Sequence, residues 1–213
     1  MNVLLLGATG FSGKEVLSEL LSKNHKVTII TRNKSSVDSE DKNLTVLEGN
    51  VLDESLINET VQHQDAVINC LGIGGKGNAK PNSLVSDATK ILINSMERYN
   101  VKRLICMSNV GAGDSIHFQP WIFSKVILPY FMKWLKAIID DKNIMEPIVM
   151  DSSLHWTILR FPNIVDKPAK EKITASFDGK GLKMSITNED LAHFMVAQLN
   201  DNEFIHKAPC VSN

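Results

Sequence analysis

The chain alternates short aliphatic runs with longer stretches in which apolar residues recur every three or four positions. Val3–Leu6, Lys26–Thr31, Leu44–Leu47, Ala66–Cys70, Arg103–Met107 and Trp156–Leu159 are continuous and mostly β-branched or leucine, the pattern of strands covered on both faces. Between them, Ser12–Ser22 gathers Val16, Leu17, Leu20 and Leu21 on one side of a helix. Glu54–Val61 predicts a short helix, Val85–Tyr99 one that turns Ile91, Leu92 and Met96 inward, and Asp141–Asp151 one leading into the sixth strand. This alternation predicts an α/β chain: a doubly wound parallel sheet with helices on both faces and right-handed crossovers. The pattern changes near the C-terminus. Ile173–Phe177 and Lys183–Ile186 read as short strands around Asp178-Gly179-Lys180-Gly181, and Thr187 with Asp190 reads as the cap of a helix over Glu189–Leu199. The expectation is a small C-terminal appendage whose loops wall a ligand site. No repeat or linker divides residues 1–213, so we expect a single domain with substrate-side elements at about 109–140 and 163–190.

Composition narrows the classes of function. With 43% hydrophobic and 22% charged residues the chain reads as an ordinary soluble globule. Its 23 basic and 24 acidic residues leave a net charge of −1, which provides no global positive field, so no nucleic-acid or membrane partner is expected. Cys70, Cys106 and Cys210 are scattered and lack C-x-x-C spacing, and the six histidines show no metal-ligand pairing, so no metal site is expected. The N-terminus has no basic n-region and runs straight into a strand, so it does not read as a signal peptide. The apolar run Val126–Met132, between Lys125 and Lys133, falls far short of the ~20 residues of a membrane span. A cytoplasmic location is the expectation.

The strongest chemical signal is Gly7-Ala8-Thr9-Gly10-Phe11-Ser12-Gly13, which follows the first strand and opens the first helix. Free N–H groups and the positive end of a helix dipole complement a dinucleotide pyrophosphate. Glycines there allow the tight turn, the close approach of phosphate and the packing of helix on strand. In this context the loop predicts a Rossmann-type site, with Gly7, Thr9, Gly10, Phe11, Ser12 and Gly13 as cofactor-binding candidates. The second strand ends in Thr31-Arg32-Asn33-Lys34-Ser35-Ser36, with no acid to accept a ribose 2′-hydroxyl. A guanidinium and an ammonium beside hydroxyls suit a 2′-phosphate, so Arg32 favours NADP(H), with NAD(H) as the alternative. Gly49-Asn50-Val51 and Leu71-Gly72-Ile73-Gly74-Gly75 follow the third and fourth strands. That is the edge where open α/β sheets bind ligands, with Asn50 and Val51 placed for adenine and Leu71 and Gly72 for ribose.

Ser108 ends the fifth strand, where dehydrogenases of short-chain type use a serine beside a Y-x-x-x-K pair. That pair is missing: Arg103 stands four residues after Tyr99 and Trp134 four after Tyr130. Alcohol oxidation by a tyrosine base is therefore not expected, whereas hydride transfer with a proton from water needs orientation alone. Residues 117–139 hold Trp121 and Trp134 among many apolar neighbours. Three readings compete: a helix pair packed on the sheet and broken at Pro129, a membrane-surface helix with Lys125, Lys133 and Lys136 on its polar side, or an apolar wall over a nicotinamide.

Across nearly its whole length the chain resembles the atypical short-chain dehydrogenase/reductase group that contains biliverdin-IXβ reductase (flavin reductase) and bacterial NADH-flavin reductase-like proteins. The resemblance is carried by Gly7–Gly13, Val27-Thr28-Ile29-Ile30-Thr31-Arg32, Gly49-Asn50-Val51-Leu52, Gln64-Asp65-Ala66-Val67-Ile68, Thr157-Ile158-Leu159-Arg160-Phe161-Pro162-Asn163-Ile164, Asp178-Gly179-Lys180-Gly181 and Asp190-Leu191-Ala192-His193-Phe194-Met195. It implies that Thr9 to Gly13 hold the pyrophosphate and Arg32 the 2′-phosphate. Ser108 then sits by the nicotinamide as the catalytic candidate, and Pro162, Asn163 and Ile164 contact its carboxamide side. It also implies a monomer, a dimer being the alternative, acting on a planar acceptor such as a flavin, quinone or tetrapyrrole. The chain departs from biliverdin-IXβ reductase at Asn163 and Lys142, where histidines stand in that enzyme. Two readings from other classes remain: a non-catalytic NAD(P) sensor of the NmrA type, and an assembly protein on a Rossmann scaffold.

Overall fold

Each aliphatic run of the sequence forms a strand of one sheet: β1 (Asn2–Leu6), β2 (Lys26–Thr31), β3 (Leu44–Glu48), β4 (Ala66–Asn69), β5 (Arg103–Asn109) and β6 (His155–Phe161). Four three-residue strands follow, β7 (Asn163–Val165), β8 (Thr174–Ser176), β9 (Ser185–Thr187) and β10 (Cys210–Ser212). The structure is a computed structural model that describes residues 1–37, 39–73 and 79–213. The eight-stranded sheet runs β3-β2-β1-β4-β5-β6-β10-β8, parallel except for the final β10–β8 pair, and β7 and β9 form a separate parallel pair. The chain steps outward from β1 through β2 to β3, then returns to β4 on the other side of β1. The reversal leaves a crevice between the carboxyl ends of β1 and β4, the place where doubly wound sheets take ligands.

The buried strands need cover on both faces, and the helices divide accordingly. Helices α1 (Phe11–Ser22), α2 (Glu54–Val61), α3 (Leu84–Arg98), α4 (Lys133–Met150) and α5 (Asn188–Ala197) bring two separate apolar clusters. On one face α2, α3 and α4 set Ile57, Leu92, Met96 and Met145 against Leu4, Val67, Leu104 and Ile158. On the other, α1 and α5 set Val16, Leu20, Leu191 and Met195 against Leu5, Ile29, Ile105 and Phe161. Alternate residues of one strand therefore feed different cores, which is the period-two geometry of a pleated strand. Polar ends are closed by tertiary contacts. Asp141 on α4 accepts the N–H groups of Val85 (3.0 Å) and Ser86 (3.1 Å) at the start of α3, and Arg103 donates to Gln198 O at the end of α5 from Nε (3.0 Å) and Nη2 (2.7 Å).

Beyond shifts of one or two residues at element ends, the structure departs from the predicted elements in the following ways. Helix α4 begins at Lys133 rather than Asp141, extending back into the aromatic stretch. The strands on either side of Asp178–Gly181 enter different sheets, β8 beside β10 and β9 beside β7. The turn between them closes on itself, with Asp178 Oδ1 accepting from Lys180 N and Ser176 Oγ and with positive φ at Gly179 and Gly181. Of the helix pair expected on the sheet, only the second half packs there, α4 bringing Trp134, Ala137 and Ile138 to the sheet-side core. Residues Gly113–Phe118 form a short 3-10 helix and Phe123–Phe131 a π-helix containing Pro129. The π-helix packs through Leu128, Phe123 and Met132 on Ala112, Leu135 and Ile139, away from the sheet. Thr187 does cap α5, accepting the Asp190 N–H at 3.3 Å.

Candidate functional site

The glycine loop is shaped by two backbone approaches that no side chain could enter. Gly7 has φ +81°, and a Cβ there would lie 2.6 Å from Cys70 O at the end of β4. A Cβ on Gly13 would lie 2.0 Å from Gly7 O, so α1 can begin this close to β1 only with glycine at that position. Gly10 caps α1 without a side chain, its N–H closing the turn on Gly7 O at 3.0 Å, and no acid stands in the first helical turn. The first N–H groups of a helix have no partner within it, so the amides of the Phe11-Ser12-Gly13 turn, with Thr9 and Gly10 exposed at the crest, form a cradle for an anion. Phe11 O accepts a hydrogen bond from Asn188 Nδ2 at 3.0 Å, which ties the cradle to α5.

Beside this cradle a cavity of about 340 Å³ is lined by Thr9, Lys14, Ser36 and Ser39 among others, joining the glycine loop to the basic turn after β2. The turn is held by its own polar groups. Asn33 Oδ1 accepts from Ser35 N (3.0 Å) and Ser35 Oγ (2.7 Å), and Lys34 N donates to Glu48 Oε2 at 3.0 Å. The Arg32 side chain stays exposed with no ion-pair partner among the described residues. Lys14 is the basic residue that the sequence reading missed here, because its position in the first turn of α1 resembles any solvated helix lysine.

Asn50 folds its carboxamide back, Oδ1 accepting from Leu52 N at 3.0 Å, and Val51 is half-buried against the core. At the end of β4, Asn69 donates to Thr89 Oγ1 (2.9 Å) and accepts from Leu71 N (3.1 Å), fixing the departure of the chain. A Cβ on Gly72 would meet no atom of the described residues within 4 Å. Gly74 and Gly75 lie outside the described residues. Pro162, Asn163 and Ile164 leave β6 at the same edge, Asn163 exposed and Ile164 half-buried against the α1–α5 core.

Ser108 is paired in register with Arg160 and is fully buried. Its hydroxyl donates to Glu146 Oε1 at 2.6 Å, and Arg160 reaches the same carboxylate through Nε (3.1 Å) and Nη2 (2.7 Å). The third Arg160 nitrogen, Nη1, meets Asp114 at 2.6 Å. A hydroxyl has one proton, so with that proton on Glu146, Ser108 offers only lone pairs to any other group. Lys142, one turn before Glu146 on α4, is buried and donates from Nζ to Leu71 O (3.1 Å) and Met107 O (2.7 Å), tying together the ends of β4 and β5. Burial lowers its pKa from the ordinary lysine range, the direction expected of an ammonium in an apolar setting. Glu146 and Arg160 were not singled out from the sequence. The signal that could have found them is the arginine itself, an unpartnered charge in the aliphatic run Thr157–Phe161.

Burial pushes the Cys70 and Cys106 thiols up to about 12 and that of Cys210 to about 11. We expect none of the three to react with a colorimetric thiol reagent at pH 8 in the folded protein and all three to react in denaturant. Rapid labelling of the native chain would contradict this burial. Among the described residues no group of three or more His, Cys, Asp or Glu side chains is placed to hold a metal, and no helix is long and apolar enough to cross a membrane.

The chain matches the family model described as NAD(P)H-binding over residues 7–202. It is 28% identical over 183 residues to the uncharacterized protein YwnB of Bacillus subtilis, covering 84% of this chain and 80% of that protein. Among solved structures, ChuY of Escherichia coli, described as an anaerobillin reductase, superposes with a TM-score of 0.79 at 19% identity, covering 100% of this chain and 97% of that one. A short-chain dehydrogenase/reductase of Veillonella parvula in complex with NADP has a TM-score of 0.79 at 17% identity, covering 100% of this chain and 94% of that one. At these identities the structural likeness establishes the fold.

Proposed function

We propose that this chain, which belongs to the NAD(P)H-binding family, is a reductase that uses NADP(H) in preference to NAD(H) and passes hydride to a planar conjugated acceptor such as a flavin, quinone or tetrapyrrole. The observation that carries the reading is the cradle at the β1–β4 crevice, where the close approaches of Gly7 and Gly13 leave helix amides facing the space a pyrophosphate would fill. Bound NADPH supplies the hydride from C4 of its nicotinamide. The residues of the chain bind and orient. The amides from Phe11 to Gly13 take the pyrophosphate, Leu71 and Gly72 border the ribose, and Asn50 and Val51 border the adenine. Ser108, with Pro162, Asn163 and Ile164, stands at the nicotinamide end. Solvent protonates the reduced acceptor, which accords with a site lacking a tyrosine acid. The active form in this reading is a monomer. The relevant assay is NADPH oxidation with FMN, riboflavin and simple quinones. Tight dinucleotide binding without turnover on any of them would favour a cofactor sensor, a reading that the engagement of the Ser108 proton with Glu146 also suits.

Cofactor preference rests on Arg32 and its neighbours. One charge-assisted hydrogen bond to a 2′-phosphate is worth about 1.5–3 kcal/mol, so Arg32→Ala is expected to lower NADPH affinity roughly 10- to 100-fold and leave NADH affinity unchanged. Calorimetric titration of both coenzymes measures this. An unchanged ratio of affinities would remove Arg32 from the site.

A further inference from the structure

The π-helix has two unlike sides. Its hydrogen bonds run from i to i+5, so residues four or five apart share a face. One face carries Leu128, with Phe123 and Met132, onto α4. On the rest, Trp121, Ile122, Tyr130 and Phe131 are 68, 59, 70 and 78% exposed, with Val126 and Ile127 exposed between them. Single exposed apolar residues are ordinary, but a run of four large ones over successive turns is not. Phe118, in the 3-10 helix before this stretch, lies apart from these rings, against the Gly179 turn.

Charge is segregated over the same stretch. The chain has 24 acidic residues, yet none falls between Ser115 and Ile139, a segment that carries Lys125, Lys133 and Lys136. Lys136 pairs with Asp140, whereas Lys125 and Lys133 are exposed and without an ion-pair partner among the described residues. The whole-chain charge of −1 conceals this local excess of positive charge. Tryptophan and tyrosine, with an apolar body and a polar tip, settle at lipid headgroups, and lysines beside them meet anionic lipid. We propose that residues 121–133 form a docking face for an anionic lipid surface, lying at the interface with Trp121, Ile122, Tyr130 and Phe131 inserted and Lys125 and Lys133 against the headgroups. This inference stands independently of the proposed reaction.

The test is sedimentation of the full chain with vesicles of phosphatidylcholine alone or with about 30% phosphatidylglycerol. The expected result is binding to the anionic vesicles only, weakening as salt rises from about 0.05 to 0.5 M, because that change shortens screening to a few ångströms. The double substitution Trp121→Ser/Phe131→Ser, and separately Lys125→Glu/Lys133→Glu, should each weaken binding about tenfold or more with the melting temperature unchanged. Failure of the unaltered chain to sediment with anionic vesicles would overturn the inference. So would equal binding by the variants, or a concentration-dependent dimer of the free chain that the same substitutions dissociate.

Discussion

Gly10→Val is expected to weaken NADPH binding a hundredfold or more while moving the melting temperature by only a few degrees. Which glycine is substituted decides the outcome. At Gly10 the backbone has φ −75° and ψ 170°, extended values open to any residue, and a Cβ would lie 3.3 Å from Gly7 O, a contact that a small shift relieves. The fold should therefore tolerate the change. The methyl groups of valine would project from the N-cap into the space in front of the free amides, where the pyrophosphate must come to hydrogen-bonding distance. Loss of two charge-assisted hydrogen bonds, at about 1.5–3 kcal/mol each, gives a fall in affinity of roughly two orders of magnitude or more. Gly13→Ala makes the informative contrast. Its Cβ would overlap Gly7 O at 2.0 Å, a backbone atom, so helix and strand must separate and stability must fall together with binding. Calorimetry and thermal melts on the two variants separate the effects. Wild-type affinity in Gly10→Val would show that the dinucleotide does not lie over this helix.

Much of the sheet was legible because a doubly covered parallel strand leaves no freedom in its sequence. Lys26–Thr31 and Glu54–Val61 fall at the same residues in the sequence reading and in the structure. Strand–helix alternation gave the parallel sheet, whereas the strand order with its reversal at β1–β4 is set by tertiary packing. The three-residue strands were not all legible. Asn163–Val165 and Cys210–Ser212 are too short to show a period, and the second is fixed by its neighbours, pairing with β6 at Arg160 and with β8 along its length. Position at the carboxyl ends of the strands was readable for Arg32, Asn50, Gly72 and Ser108, since the first three follow a strand and Ser108 is the penultimate residue of one. What each side chain touches was not. Asp140-Asp141-Lys142-Asn143-Ile144-Met145-Glu146 looks like a solvated helix face by composition, yet Asp141, Lys142 and Glu146 are buried. Each is tolerated inside because a partner far along the chain meets it: the α3 amides, the carbonyls of Leu71 and Met107, and Arg160. Such partnerships are long-range and leave no local period in a sequence.

Glu146→Ala is expected to cost about 3–5 kcal/mol of stability, because it leaves the buried guanidinium of Arg160 without its carboxylate. For a chain of this length that corresponds to a fall in melting temperature of roughly 10 °C. The remaining partner, Asp114, is 74% exposed on its side chain, so water screens it and it offsets little of the loss. Damage should also spread to the segment that follows β5. Gly113 has φ +55°, and a Cβ there would stand 2.5 Å from Glu146 Oε2 and 2.6 Å from Arg160 Nη2, so the segment leaving β5 rests directly on this ion pair. Gly113 N is also held by Asn143 Oδ1 at 2.8 Å, from the same helix. When the pair is broken, that segment and the Ser108 hydroxyl lose a fixed orientation together, so turnover should fall more than cofactor affinity. The double substitution Glu146→Leu/Arg160→Met tests whether the damage comes from an orphaned charge or from lost volume. Removing both charges should recover most of the stability, since a buried ion pair replaced by apolar groups of like size is often neutral. If Glu146→Ala melts within about 2 °C of wild type, the guanidinium has found water, and the network does not hold the two strands and the helix as a unit.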